Sequence, residues 1–107
     1  MHTIRIERLK QIIVDNPNDT FALFALAKEY EKLGDWGDAA QLLEKLLVID
    51  SGYLGAYYHL GKIYEQLAEV KKALNIYEAG IRQAQAQQDL HTVGELRNAR
   101  MNLELEL

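Results

Sequence analysis

The chain has 107 residues, 49% of them hydrophobic, and its 16 acidic and 12 basic residues give a formal net charge of −4. This length suits one domain, and the acidic balance argues against a nucleic-acid-binding protein, which needs a basic face. The lack of cysteine excludes disulfides and thiolate metal sites. No apolar run approaches the roughly 18 residues of a membrane span, and the N-terminus lacks the apolar core of a secretory signal. We therefore expect a cytoplasmic protein that binds no membrane.

Helix-forming residues dominate the chain, which has a single proline, Pro17, and apolar residues recur at helical spacing. Helix stop signals lie at residues 15–19, 34–35 and 50–52, with weaker ones at 68–69 and 88–89. In chain order, the six predicted helices lie near residues 3–14, 19–33, 36–49, 53–67, 70–87 and 90–104. Six helices and no strand predict an all-α fold. The short connections between them favour antiparallel packing of consecutive helices.

The first predicted helix carries more apolar residues than one stripe can hide, namely Ile4, Ile6, Leu9, Ile12 and Ile13. An exposed apolar patch larger than a few hundred Å² usually marks an interface. We therefore expect a weak homodimer through this helix.

The middle of the chain repeats itself at a period of 34 residues. At this offset Leu26, Ala27, Lys28, Tyr30, Glu31 and Ala39 fall on Leu60, Gly61, Lys62, Tyr64, Glu65 and Ala73. Small side chains at these spacings allow helices to approach closely. Gly61 and Gly80 indicate a contact that a methyl group would crowd, although neutral drift at a tolerant position is an alternative.

On these residues the chain resembles the tetratricopeptide-repeat family over nearly its whole length. The resemblance implies one domain, residues 1–107, folded as a right-handed α-α superhelix of antiparallel helix pairs, a solenoid of about six helices. Residues 1–19 match the second helix of a partial leading repeat, residues 20–53 and 54–87 match two full repeats, and residues 88–107 match a capping helix. The last of these does not keep the repeat register, since Glu95 falls where Gly61 predicts a small residue.

No motif in the chain indicates catalysis or a cofactor. The three histidines do not have metal-ligand spacing, and no phosphate-binding glycine loop is present. The single serine, Ser51, lies at a helix boundary, where capping explains it better than nucleophilic chemistry. Lys71, Lys72 and Arg82 are too few to indicate nucleic-acid binding and are typical of a solvated face. We expect neither an enzyme, a cofactor nor a metal site.

In the family that the chain resembles, the first helices line a concave groove that takes a peptide or a helix. The resemblance therefore implies a protein-interaction module, with a scaffold or adaptor role, whose groove carries Phe21, Phe24, Lys28, Glu31, Tyr58, His59, Lys62 and Glu65. Chaperone-binding members clamp a terminal carboxylate with lysine, asparagine and arginine. The matching positions here are Phe24, Lys28 and His59, so binding of heat-shock-protein tails is not predicted. The competing interpretation is a self-associating structural fragment of a longer solenoid.

Two aromatic–lysine pairs stand out among these groove residues. Lys28 follows Phe24, and Lys62 follows Tyr58, by four residues, so each ring and ammonium share a helix face. An apolar anchor beside an acidic group on a partner would satisfy both halves of such a pair. The alternative is that each lysine pairs with the glutamate three residues on.

Overall fold

The computed structural model describes residues 2–107, so Met1 of the predicted leading repeat lies outside it. The described residues form six helices joined by short connections, and each predicted helix boundary lies within one residue of the observed one. The helices are α1 His2–Asp15, α2 Thr20–Lys32, α3 Trp36–Ile49, α4 Leu54–Gln66, α5 Val70–Ala86 and α6 Leu90–Leu105. Within residues 2–107, no helix is both long and apolar enough to cross a membrane.

Three helices end in the same way, with a residue in the left-handed conformation just beyond the last turn. That residue is Gly34 after α2 (φ 76°), Ala68 after α4 (φ 57°) and Gln88 after α5 (φ 59°). In each case the next N–H donates back to a carbonyl in the last turn, as Asp35 does to Tyr30 at 2.9 Å. This arrangement satisfies carbonyls that a helix end leaves without partners.

Aspartate side chains begin two of the helices. The carboxylate of Asp19 accepts a hydrogen bond from the backbone N–H of Ala22, and Asp89 accepts one from Thr92, each at 3.0 Å. These bonds satisfy N–H groups that the first turn leaves free. Hydrogen bonds from the backbone and the hydroxyl of Thr92 hold the pKa of the Asp89 carboxyl below its ordinary value.

Each helix packs against the next along the chain, and α4 also contacts α6. The predicted small positions lie where helices touch, since Ala27, Ala39 and Ala73 have no exposed surface. A methyl group on Gly61 would enter the ring of Tyr77. The large side chains with almost no exposure are those of Leu23, Leu43, Leu46, Leu60, Ile63, Tyr77 and Leu96. The core therefore runs continuously from α2 to α6.

Helix α1 packs against α2 and buries only part of its apolar surface. Ile6 and Leu9 are buried, whereas Ile4 is 58% exposed and Ile12 is 43% exposed. Arg5 ties α1 to α2 through an ion pair of 3.3 Å with the buried carboxylate of Glu29.

The last helix does not follow the 34-residue period. Helix α5 has 17 residues against 14 in α3, and its connection to the next helix is one residue shorter, so α6 begins two residues late. The buried residues show the new register: Val93, Leu96 and Ala99 occupy the positions of Tyr57, Leu60 and Ile63. The prediction that the last helix departs from the repeat register is therefore confirmed, and Glu95 occupies the position of His59.

Candidate interaction groove

Both aromatic–lysine pairs form along the first helices of the two full repeats. The Lys28 Nζ lies 5.1 Å from the ring centroid of Phe24, and the Lys62 Nζ lies 5.7 Å from that of Tyr58. A cation over a ring at this distance is attracted by about 0.5–1 kcal/mol where the site is exposed. The helix spacing thus places two similar pairs on the first helices of neighbouring repeats.

His59 joins the two repeats across the groove. Its Nδ1 lies 2.9 Å from a carboxylate oxygen of Glu31, and its ring meets the ring of Phe24 edge-on at a centroid distance of 5.4 Å. The ring of Tyr58 lies 6.1 Å away on the other side, also edge-on. Phe24, His59 and Tyr58 therefore form a continuous band of rings from α2 to α4, which we call the aromatic strip.

The two lysines differ in their ion pairs. Lys62 lies 3.8 Å from Glu65, as intrahelical pairing predicts. No carboxylate pairs with Lys28 among residues 2–107, and Glu31, its expected partner, binds His59 instead. The alternative of intrahelical pairing therefore describes one repeat and not the other.

A buried tyrosine of α5 fixes the position of the Glu65 carboxylate. The hydroxyl of Tyr77 donates a hydrogen bond to a carboxylate oxygen of Glu65. Burial, and then the bond to Glu65, raise the pKa of Tyr77 far above its ordinary value, so the hydroxyl remains a donor. This bond fixes the carboxylate that neutralises Lys62.

Two depressions lie along this face of the molecule. The first, of about 260 Å³, is lined by Lys28, Glu31, Lys32 and His59. The second, of about 210 Å³, is lined by Tyr58, Lys62, Glu95, Asn98, Ala99 and Asn102. Six of the eight groove residues predicted from the sequence thus lie in the aromatic strip or line these depressions. Glu65 contacts Lys62, and Phe21, at the start of α2, is 71% exposed and lines neither depression.

The contribution of α6 to the groove was missed from the sequence. Helix α6 was predicted to be a capping helix, so Asn98 and Asn102 were assigned no role in binding. An offset of 36 residues, which aligns the apolar residues of α6 with those of α4, would have found them. Tyr53 was missed as well, because it precedes α4, yet its ring lies 5.1 Å from that of Phe24.

Metal binding and nucleic-acid binding have less support in the structure. Within the described part of the chain, no group of three His, Cys, Asp or Glu side chains is arranged to hold a metal ion. Lys71 and Lys72 are exposed on α5, and the ammonium of Lys72 lies 5.8 Å from the ring centroid of Tyr64.

Comparison with known proteins gives a family model and several solved structures. The model described as tetratricopeptide repeat matches residues 30–94. The solution structure of a tetratricopeptide repeat domain protein from Salinibacter ruber is 37% identical with a TM-score of 0.78, covering 83% of this chain and 90% of that one. A protein from Bordetella parapertussis is 27% identical with a TM-score of 0.82, covering 94% and 88%.

The fold also resembles the TPR2B domain of yeast Sti1, which was solved as a complex with pHsp70. That domain has a TM-score of 0.88 at 16% identity, and the alignment covers 95% of this chain and 82% of that one. At this identity the likeness concerns the fold alone. A search of curated proteins gave no match.

Proposed function

The chain belongs to the tetratricopeptide-repeat family, and on that premise we propose that it is a protein-interaction module with a scaffold or adaptor role. Its ligand is a peptide segment of a partner protein, bound along the aromatic strip and the two lysines beside it. The observation that carries this proposal is the parallel placement of Lys28 over Phe24 and Lys62 over Tyr58.

Each pair offers a partner two kinds of contact on a small area. The ring gives an apolar platform, and the ammonium beside it attracts an acidic group. Aromatic residues on such platforms carry a large share of the binding energy in many interfaces. A segment with apolar side chains and an acidic residue fits both halves of the pair.

The rings are also held in place before any partner arrives. Phe24 is half-buried and is packed against Tyr53 and His59, and the carboxylate of Glu31 holds His59 from the neighbouring repeat. A preordered surface loses less conformational freedom on binding, so more of the contact energy appears as affinity. Intrahelical ion pairing explains less, because an exposed pair contributes only about 0.2–0.5 kcal/mol and Lys28 does not form one.

A selection of linear peptides tests this function. Random peptides displayed on phage are selected on the parent chain, and those that it retains are then measured on Phe24→Ala/Tyr58→Ala. We expect affinity to fall at least about tenfold on this double variant, since two apolar platforms are lost. Val48→Ala is the control, because Val48 is an exposed apolar side chain of α3 that lines neither depression. It should bind as the parent does.

Charge reversal of the two lysines provides a second test, which changes no core side chain. Lys28→Glu with Lys62→Glu should weaken the same peptides, and the loss should shrink at high salt, where the attraction is already screened. Circular dichroism and melting temperature should stay close to the parent. Peptides that bind the parent, the ring variant and the charge variant equally would place the binding surface elsewhere and refute the proposal.

A second candidate function is self-association as a structural unit. Its support is the surface of α1, where Ile4 and Ile12 are exposed and, with Arg5, Arg8 and Leu9, line a depression of about 340 Å³. Apolar surface of this kind is typical of an interface.

A further inference from the structure

The first and the last helix of the row carry exposed apolar surfaces of opposite charge. We propose that these two surfaces bind each other between copies of the chain, so that the end of α6 in one copy packs against the start of α1 in the next. This contact rests on the second candidate function, self-association, and is independent of peptide binding in the groove.

The surface on α1 is apolar and basic. It consists of the residues that line the depression on this helix, and we call it the N-terminal patch: Ile4, Arg5, Arg8, Leu9 and Ile12. Arg5 is paired with Glu29 of α2, whereas no carboxylate among residues 2–107 pairs with Arg8. The patch therefore presents an apolar hollow beside a guanidinium that attracts a carboxylate from another molecule.

The surface at the end of α6 is apolar and acidic. We call it the C-terminal patch, and it consists of four exposed residues: Met101, Glu104, Leu105 and Glu106. Met101 and Leu105 share a helix face because they are four residues apart. Glu104 lies 3.8 Å from Arg100, and within the described chain Glu106 forms no ion pair. The C-terminal patch thus has the apolar character of the N-terminal patch and the opposite charge.

The directions of the two helices bring the opposite charges together. Consecutive helices are antiparallel, as two pairs of neighbours in α4 and α5 show, Gly61 with Tyr77 and Tyr57 with Gly80. The start of α1 and the end of α6 therefore lie at the same edge of the molecule. When two copies stand end to end in the same orientation, the glutamates of one meet the arginines of the next. The negative end of the α6 dipole then also lies beside the positive end of the α1 dipole.

Neither patch is suited to pairing with itself. A two-fold dimer brings the same surface of both copies together. The N-terminal patch would then place arginines beside arginines, and the C-terminal patch glutamates beside glutamates, and such like charges oppose binding. The charges therefore favour a contact between unlike patches, which the apolar side chains alone would not distinguish.

The contact between copies is looser than the contact between the two helices of a repeat. Arg5 occupies the position of Ala39 and Ala73, and Arg97 occupies that of Gly61 in the register of α6. Long side chains at these small positions prevent the close approach that alanine and glycine allow. Arginine stems can still cover apolar surface while their charges stay in water. We therefore expect weak, reversible association.

Sedimentation of two variants and of their mixture tests this pairing. Ile4→Gln/Ile12→Gln alters the N-terminal patch, and Met101→Gln/Leu105→Gln alters the C-terminal patch, both without changing the net charge. Each variant alone should stay monomeric where the parent associates, because each has lost one half of the contact. An equimolar mixture should form heterodimers and nothing larger, since one intact patch of each kind remains. Val48→Gln, an exposed change on α3, is the control and should associate as the parent does.

The mass of the parent chain gives a further measurement. A contact between unlike patches leaves one patch of each kind free at the ends, so the average mass should exceed that of a dimer as the protein concentration rises. High salt should weaken the association, because it screens the attraction between glutamates and arginines. All variants should keep the circular dichroism and melting temperature of the parent, since only exposed side chains change.

The outcomes separate this contact from self-association itself. A parent chain that stays monomeric at high concentration refutes self-association, and the contact falls with it. If the parent associates and either double variant associates equally well, self-association stands, but the pairing of unlike patches is wrong. A mixture of the two variants that remains monomeric where the parent associates refutes the pairing as well. Peptide binding in the groove is unaffected by any of these results.

Discussion

Gly80 lies where α5 crosses the neighbouring helices at close range. A methyl group there would come 2.6 Å from the Cβ of Tyr57 and 2.9 Å from a methyl group of Leu96. Gly94, by contrast, lies inside α6 with open space around its Cβ direction. The two glycines are equally unfavourable for helix formation, yet only Gly80 has a structural reason to be one.

The two positions should therefore respond in opposite directions to alanine. Gly80→Ala should lower the free energy of unfolding by about 1–3 kcal/mol through overpacking. Gly94→Ala should raise it by up to about 1 kcal/mol, the difference in helix propensity. Urea unfolding of both variants checks this, and a stabilised Gly80→Ala would show that the contact between the helices relaxes freely.

The left-handed residues at the helix ends give a second residue-scale prediction. Gly34 adopts its positive φ without strain, but Ala68 holds the same conformation with a Cβ, at a cost of roughly 1–2 kcal/mol. Ala68→Gly should therefore stabilise the chain by about 0.5–1 kcal/mol, after the extra chain entropy of glycine is subtracted. Gly34→Ala should destabilise it. Thermal melts of the two variants would contradict the assignment if the sign were reversed.

At this scale the sequence predicts contacts within one helix and misses contacts between helices. The pairs Phe24–Lys28 and Tyr58–Lys62 were predictable because a spacing of four residues fixes them in any helix. The bond between His59 and Glu31 was not, because these residues are 28 apart and meet only through the packing of two repeats.

Among the elements, the length of α5 determines which face of α6 lines the groove. Its boundaries were predicted to within one residue, since helix stop signals are local in sequence. The consequence of its length was missed, because α6 was predicted to depart from the repeat register but was not given a new one. Two additional residues rotate α6 enough to bring Asn98 and Asn102 to the groove.

The contact between α4 and α5 depends on small side chains, and this predicts an effect of volume. Ala73 has no exposed surface, so Ala73→Leu should destabilise the chain by about 1–3 kcal/mol through overpacking. Ala86→Leu, at the exposed end of the same helix, is the matched control and should have little effect. Denaturant melts in which the two variants behave alike would count against the packing register of α5.

For the whole molecule, the surface of α1 makes self-association testable. Ile4 and Ile12 remain exposed, so we expect the sedimentation coefficient to rise with protein concentration as weak dimers form. Ile4→Glu/Ile12→Glu should abolish this rise, whereas Val48→Glu, a change at a side chain of α3 that is 87% exposed, should not. A parent chain that stays monomeric at high concentration would exclude this dimer.

The two-residue shift of α6 also gives the candidate groove a direction. A ligand that passes from α2 to α6 meets a ring beside an unpaired lysine, then a ring beside a neutralised lysine, and finally a glycine beside two carboxamides. No rotation of the ligand exchanges the first position with the last. Under the proposed function we therefore expect a bound segment to take one orientation, and a peptide of reversed sequence, although identical in composition and charge, to bind more weakly.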